Sequence, residues 1–343
     1  MSFVIELMER GWLPDWLVRC GIRAVVRERL VEERKPDCEA ECKQLMKFVS
    51  ELRTAPVAVE TAAANEQHYE VPAEFYLNVL GPNLKYSSCY FPRGDESLEV
   101  GEELMLALTC ERAELSDGMQ ILELGCGWGS LTLWMAKHYP NSQITAISNS
   151  GSQREFIMAQ AAARGLKNVE VLTADINEFS IETRFDRVVS VEMFEHMRNY
   201  GTLLQRVAGF LKPHGKLFVH IFCHRKYAYP YTTDGTTNWL GRYFFTGGTM
   251  PSDHLLLYFA DNFSIEHHWR VSGRHYARTA WLWYQAMRDR RPQIMEALEG
   301  IYGRKEAHRW FIRWKVFFLS CYELFGFRGG EEWFVGHYRF TRR

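Results

Sequence analysis

Apolar residues recur along this chain in two rhythms. From residue 1 to about 55 they return at helical intervals, at Ile5, Trp12, Trp16, Leu17, Ile22, Val25, Val26, Leu30 and Val31, so that region is expected to be helical. A helix from about Val100 to Ala113 then leads into the second rhythm. Short apolar runs at Ile121–Leu124, Ile144–Ser148, Val169–Thr173, Phe185–Val191 and Lys216–Cys223 alternate with helix-length stretches at Leu131–His138, Ser152–Arg164 and Leu203–Leu211. Strands separated by helices in this way predict an α/β fold with a parallel, doubly wound sheet. The rhythm fails from Arg225 to Phe263, a segment rich in Tyr and Phe, and a long stretch without periodicity reads as a lid or binding loop. Beyond it, Phe263–Val271 reads as a strand, Arg274–Arg290 as a helix, 306–325 as an amphipathic helix and Trp333–Phe340 as a last strand.

The change of rhythm divides the chain into an N-terminal helical region, 1–64, and a second region, 65–343, carrying the lid at about 225–263. Thr54–Ala64 lacks periodicity and reads as the link between them. Arg19, Arg23, Arg27, Arg29, Arg34 and Lys35 give the first region a basic side, either solvated or meeting a membrane surface. The chain as a whole has 343 residues and a net charge of −1, which gives no reason to expect nucleic acid as a partner. No apolar run approaches the ~18 residues of a membrane span, and charges interrupt the first 19 residues where a signal peptide would be continuous. Eight scattered cysteines, of which Cys38 and Cys42 alone are close, predict neither a metal site nor a disulfide framework. The expectation is a cytoplasmic protein without a transmembrane segment, as a monomer or a homo-oligomer. Aromatic residues make up 14% of the chain, with 11 Trp, and ring faces attract cations such as sulfoniums and ammoniums.

The centre of the pattern is Ile121-Leu122-Glu123-Leu124-Gly125-Cys126-Gly127-Trp128-Gly129-Ser130. A buried strand here runs into a glycine turn and then a helix, and glycines let the backbone approach a ligand closely at the strand's end. A dinucleotide site would need G-x-G-x-x-G/A and an acid at the end of the next strand. Here Ser130 stands at the sixth position and the next strand ends in Ser148-Asn149. The pattern instead resembles the first motif of S-adenosylmethionine-dependent methyltransferases, of Rossmann-like class I fold.

Candidate chemistry falls after the strand ends. If the turn after Val191 is helical, Glu192, Glu195 and His196 share one face at i, i+3, i+4, and two carboxylates and an imidazole converge where an amine's proton has to be managed. The alternative is that Glu192 caps the next helix and His196 packs. Asp175 stands where a carboxylate would meet an adenine amino group, or is an ordinary loop residue. Asn149 and Gln153 would reach ribose hydroxyls, or cap a helix.

Ser190-Val191-Glu192-Met193-Phe194-Glu195-His196-Met197-Arg198-Asn199-Tyr200, His68-Tyr69-Glu70-Val71-Pro72, Tyr86-Ser87-Ser88-Cys89-Tyr90-Phe91 and Gly329-Gly330-Glu331-Glu332-Trp333 together resemble the coclaurine N-methyltransferase group, relatives of the cyclopropane fatty acid synthases. The resemblance implies that Tyr86, Ser87, Glu123, Gly125, Gly127, Asn149, Gln153, Asp175 and Ile176 hold S-adenosylmethionine. It also implies that Glu192, Glu195 and His196 handle an amine. Cyclopropane synthases have glycine at the place of Glu192 and cysteine at that of Ser88, and use a bicarbonate ion as base. Glu195, His220 and Tyr276 resemble that ion's pocket, and Cys321 resembles a cysteine of that family. A carboxylate at 192 would repel such an anion, which points to N-methylation of a small amine. The alternatives are methylene or C-methyl transfer to an unsaturated fatty acyl lipid, and a binding protein that holds the cofactor without turnover.

Overall fold

The structure, a computed structural model, describes residues 3–59, 71–234 and 238–343. At its centre lie β1 (Gln120–Leu124), β2 (Gln143–Ser148), β3 (Val169–Thr173), β4 (Phe185–Val191) and β5 (Leu211–His224). They pair in parallel in the order β3-β2-β1-β4-β5. Ile121, Leu122, Ile144, Ala146, Val188 and Val189 are buried, as a parallel sheet with helices on both faces requires. The α/β expectation holds, and these five strands deliver their carboxyl ends to one edge.

The other half is not parallel. β8 (Phe263–Val271) and β9 (Trp333–Arg342) extend the sheet to seven strands, with β9 antiparallel to both β5 and β8. Two helices, Gly273–Asp289 and Arg291–Gly326, connect them and pack on each other. One helix carries the chain away and the second carries it back, so the next strand enters in the opposite sense. The second helix begins well before the expected 306, and Gly303 breaks it with φ +71°. The lid segment carries a ribbon of β6 (Tyr229–Pro230) with β7 (Thr249–Met250) and a helix at Trp239–Tyr243.

The N-terminal region forms three helices, Phe3–Glu9, Asp15–Glu33 and Cys38–Thr54. Asp37 caps the third by accepting the Ala40 N–H at 2.8 Å. The second packs on Arg291–Gly326 and the third on Tyr200–Phe210. Arg19 and Arg23 pair with Glu323, and Arg29 with Glu32 and Glu33, so half of the expected basic side is consumed in ion pairs. Val57 and Ala58, expected in a link, are buried, and Ala58 bridges Met197. The rest of that link from residue 60, with its Ala62-Ala63-Ala64 stretch and the boundary at 64, lies outside the described residues, as does His68-Tyr69-Glu70. Among the described residues no helix is long and apolar enough to cross a membrane. Phe75, Phe185 and Phe244 have no exposed surface, each contributing about 1.5–3 kcal/mol of apolar burial.

Candidate active site

The turn after β1 takes the shape its glycines permit. Gly125, Gly127 and Gly129 have φ of +77°, +51° and +81°, a region L side chains rarely adopt. A Cβ at Gly125 would meet Met193 at 2.7 Å and one at Gly129 would meet Ile157 at 2.6 Å, whereas at Gly127 it would meet no atom of the described residues within 4 Å. Gly127 faces open space because two cavities adjoin there, sharing Gly125, Gly127, Gln153, Met193 and His196.

All twelve candidates line one cavity or the other. Asn149, Asp175 and Ile176 border the first, with Ala58, Met197 and the lid's Thr246. Tyr86, Ser87, Glu123, Glu192 and Glu195 border the second, beneath the rings of Trp128, Phe222, Phe245, Tyr276, Trp283 and Phe317. Asn149 is not a helix cap; Ser150 takes that place. Gln153 accepts from Ser148 Oγ at 2.7 Å and leaves its Nε2 buried without a partner among the described residues. Asp175 accepts its own turn's Asn177 N–H at 2.8 Å while lining the cavity. Glu123 accepts from Thr132 Oγ1 at 2.5 Å, and burial pushes its carboxyl up to about 7. The Gly329-Gly330 stretch borders neither cavity; both glycines have positive φ and feed the chain into β9.

The expected helical face at 192–196 is absent. Glu192 has φ +48°, and the helical geometry is limited to a 3₁₀ turn at Phe194–His196. The three side chains converge by another route: the kink aims Glu192 at β5, while the turn brings Glu195 and His196 over the cavity. Glu192 caps nothing, since Asn199 caps Tyr200–Phe210. His196 does pack, stacked 6.2 Å from Phe245, yet it borders both cavities.

Glu192 is enclosed by donors. Tyr276 Oη donates to Oε2 at 2.6 Å, the Ser88 N–H donates to Oε1 at 3.1 Å, and His220 Nε2 lies 3.2 Å from Oε1. The His220 and Tyr276 groups expected around an external anion thus hold the protein's own carboxylate. Burial pushes Glu192 up to about 7, against the pull of Tyr276, Lys85 and the Ser88 N–H. Glu195 is pushed well above the carboxylate range by burial and by the charge of Glu192, and its Oε2 has no partner among the described residues. One carboxyl therefore ionises near neutrality and the other keeps its proton.

Lys85 was not foreseen. It is 2% exposed, borders the second cavity and donates to Ser87 Oγ. Its signal was a lone cation in an otherwise apolar and hydroxyl-bearing run just before Tyr86 and Ser87. Phe245 and Thr246 had only the general aromatic character of the lid to mark them.

The cavities suit a nucleoside bearing a charged tail. Gln153 Nε2, Ser130 Oγ and Glu195 Oε2 are buried at the walls and unpartnered among the described residues, and Gly127 leaves room against the backbone.

Comparison with known proteins places this geometry. Residues 58–328 match the family model of mycolic acid cyclopropane synthetase. (S)-Coclaurine N-methyltransferase of Thalictrum flavum subsp. glaucum is 39% identical over 100% of this chain and 97% of that protein. A crystal structure of coclaurine N-methyltransferase bound to N-methylheliamine and SAH (S-adenosylhomocysteine) superposes with a TM-score of 0.96 at 36% identity, covering 99% of each chain. The cyclopropane-fatty-acyl-phospholipid synthase of Escherichia coli (strain K12) is more distant, 31% identical over 67% of this chain and 58% of that protein.

Proposed function

The chain belongs to the mycolic acid cyclopropane synthetase family and is an S-adenosylmethionine-dependent methyltransferase, and from that premise we propose that it methylates the nitrogen of a small cyclic amine of the benzylisoquinoline kind. The observation that carries this reading is Glu192, whose carboxylate takes the hydrogen bonds of His220, Tyr276 and the Ser88 N–H. An anionic base from solution would find its donors occupied and a like charge in place. An ammonium finds a carboxylate, a second acid and six aromatic faces.

Asn149, Asp175 and Ile176 would hold the adenosine of S-adenosylmethionine, and Tyr86, Ser87, Gly125, Gly127 and Gln153 its amino acid end. Glu123 would orient the cofactor from below the glycine turn. When bound, the cofactor supplies a methyl group on a cationic sulfur. The amine must arrive neutral at nitrogen, so Glu192 takes its proton, either before the N–C bond forms or from the ammonium produced. Glu195, protonated, keeps a second anion out of the dry cavity while offering its unpartnered oxygen to the nitrogen. His196, at the junction of both cavities, would set the acceptor's position between them. Exposed thiols at Cys20, Cys38 and Cys42 support a reducing compartment, the cytoplasm. The apolar outer face of Asp15–Glu33, with Trp16, Leu17 and Val31 exposed, supports a homo-oligomer.

The test is S-adenosylhomocysteine release by the purified protein with a panel of cyclic amines and, separately, with phospholipid vesicles. Product is expected with amines alone. Product only with vesicles, lost in Ser88→Ala but kept in Glu192→Gln, would transfer the assignment to lipid chemistry.

A further inference from the structure

The hydrogen bonds of Glu192 continue away from the cavity. His220 on β5 and His337 on β9 stand opposite one another in the antiparallel register, both without exposed surface. His220 Nε2 lies 3.2 Å from Glu192 Oε1, His337 Nε2 lies 2.9 Å from His220 Nδ1, and Arg112 Nη1 lies 2.8 Å from His337 Nδ1. Arg112 ends the helix Leu98–Arg112, half-buried, its guanidinium 5.0 Å above the Trp269 ring. Four side chains, from three elements and the turn after β4, thus form one row, from near the surface to the carboxylate.

Arginine sets the direction of every bond in it. A guanidinium has donors only, so Nδ1 of His337 is the lone-pair nitrogen. A neutral His337 then carries its proton on Nε2, which faces His220 Nδ1. That nitrogen must accept, so His220 carries its own proton on Nε2 and donates it to Glu192. Both rings are kept neutral, since burial and the nearby cations Lys85 and Arg112 disfavour a charged imidazole. Without Arg112, His337 is free to place its proton on Nδ1. His220 can then turn a lone pair toward Glu192, a partner that only a protonated carboxyl tolerates.

We propose that Arg112 and His337 are positioning residues for the methyl transfer: by fixing the tautomers of two buried imidazoles they make His220 a donor to Glu192 and hold that base ionised at the pH where it works. The proposal rests on the reading of Glu192 as the base. Lys85, Tyr276 and the Ser88 N–H also act on Glu192, and Glu195, Cys89 and Cys321 face it. Tyr90 and Glu111 face Arg112, and Arg339 donates to its carbonyl at 3.0 Å. None of these forms part of the row, so all remain when Arg112 or His337 is changed.

The experiment is the pH profile of amine methylation by the full-length enzyme in Arg112→Met, Arg112→Lys, His337→Phe and Glu192→Gln. Arg112→Met and His337→Phe should move the ascending limb upward by about one pH unit. That is about a tenfold loss below the limb and little loss at high pH, with the KM for S-adenosylmethionine unchanged. Arg112→Lys, which keeps a donor-only cation, should restore the native profile. A limb that stays in place in both disrupting variants, or that moves equally in Arg112→Lys, overturns the proposal. If Glu192→Gln keeps the limb, the reading of Glu192 as base is what fails; if it abolishes the limb while Arg112→Met leaves it untouched, the row is what fails. Nitrogen-15 NMR of histidine-labelled native enzyme provides a second measurement, in which the tautomers are read on the native protein and the variants serve only to assign the signals. The signals lost in His220→Gln and in His337→Phe should report Nε2–H tautomers, and Nδ1–H or a doubly protonated ring at either position also overturns the proposal.

Discussion

Glu192 holds a backbone conformation, φ +48°, that costs a side chain of its kind about 1–3 kcal/mol. Three hydrogen bonds to its carboxylate and one from its own N–H to the His220 carbonyl at 2.8 Å offset that cost. The bonds fix the carboxylate, and the kink aims it. Its carboxyl, pushed up to about 7 by burial, must be ionised to take a proton from nitrogen. Activity should therefore rise with pH through about 7 and fall as pH drops below it. Glu192→Gln should lose that ascending limb and about 10²–10³ in kcat, with S-adenosylmethionine affinity kept within about threefold. His196→Ala should likewise lower turnover more than cofactor affinity. Glu195, whose proton is held by burial and by its neighbour's charge, is already close in shape and charge to glutamine, so Glu195→Gln should cost less than about tenfold. The kcat profiles of these variants check the assignment, and a larger loss in Glu195→Gln than in Glu192→Gln would exchange the two roles.

At the scale of elements, the lid depends on the N-terminal helices. Glu9, without exposed surface, accepts from Trp239 Nε1 at 2.9 Å and from Arg313 Nη2 at 2.9 Å. One carboxylate thus ties the first helix to the lid helix and to the long helix behind it. Removing one partner of a buried ion pair leaves the other charge uncompensated, so Glu9→Ala should cost about 3–5 kcal/mol. It should also open the lid to proteolysis near Trp239 before the rest of the chain; a loss under about 1 kcal/mol would mean that the apolar contacts of the lid suffice. The sequence made some of this architecture legible and some not, for identifiable reasons. β1, β2, β4 and β5 are legible because strands covered on both faces are largely apolar, β3 at the sheet edge by its short Val-rich run, and the glycine turn because side chains rarely take its φ values. The strands beyond residue 263 are legible as strands, but their antiparallel direction is not, because helix–strand alternation does not reveal how many helices lie between neighbours. The left-handed turn at Glu192 had no glycine or asparagine to mark it. Twelve candidate residues line two joined cavities, since all but Glu123, which lies within β1, follow a strand end or lie in a loop or helix start beside one. His337 stayed hidden because its place is set by a strand register across more than a hundred residues of chain.

For the molecule as a whole, the two cavities are the seam where its packed regions meet. Trp128, Phe222, Tyr276, Trp283 and Phe317 come from the cluster of the N-terminal and long helices and the lid, while Leu124, Ile147 and Met197 come from the cluster between the sheet and Tyr200–Phe210. Leu106, Leu131 and Cys126 belong to the two remaining clusters. A ligand in the seam touches all of them, so its binding free energy adds to the stability of the assembled fold. S-adenosylhomocysteine at a hundred times its Kd should contribute about 2.7 kcal/mol, or about 3–5 °C in Tm for a chain of this size. Two glycines separate the seam from the scaffold. Gly127→Ala places a methyl in open space at the junction of the cavities, costing about 1–2 kcal/mol for its φ alone. Its Tm should fall slightly and the ligand-induced rise should vanish. Gly129→Ala drives a methyl to 2.6 Å from Ile157, overpacking the helix behind the turn by about 1–3 kcal/mol. Its Tm should fall further, with the ligand-induced rise kept, because Gly129 borders neither cavity. Thermal scans of the three proteins with and without S-adenosylhomocysteine decide the matter: a full rise in Gly127→Ala would place the nucleoside elsewhere, and loss of the rise in both variants would make the turn a folding element whose integrity the ligand requires as a whole.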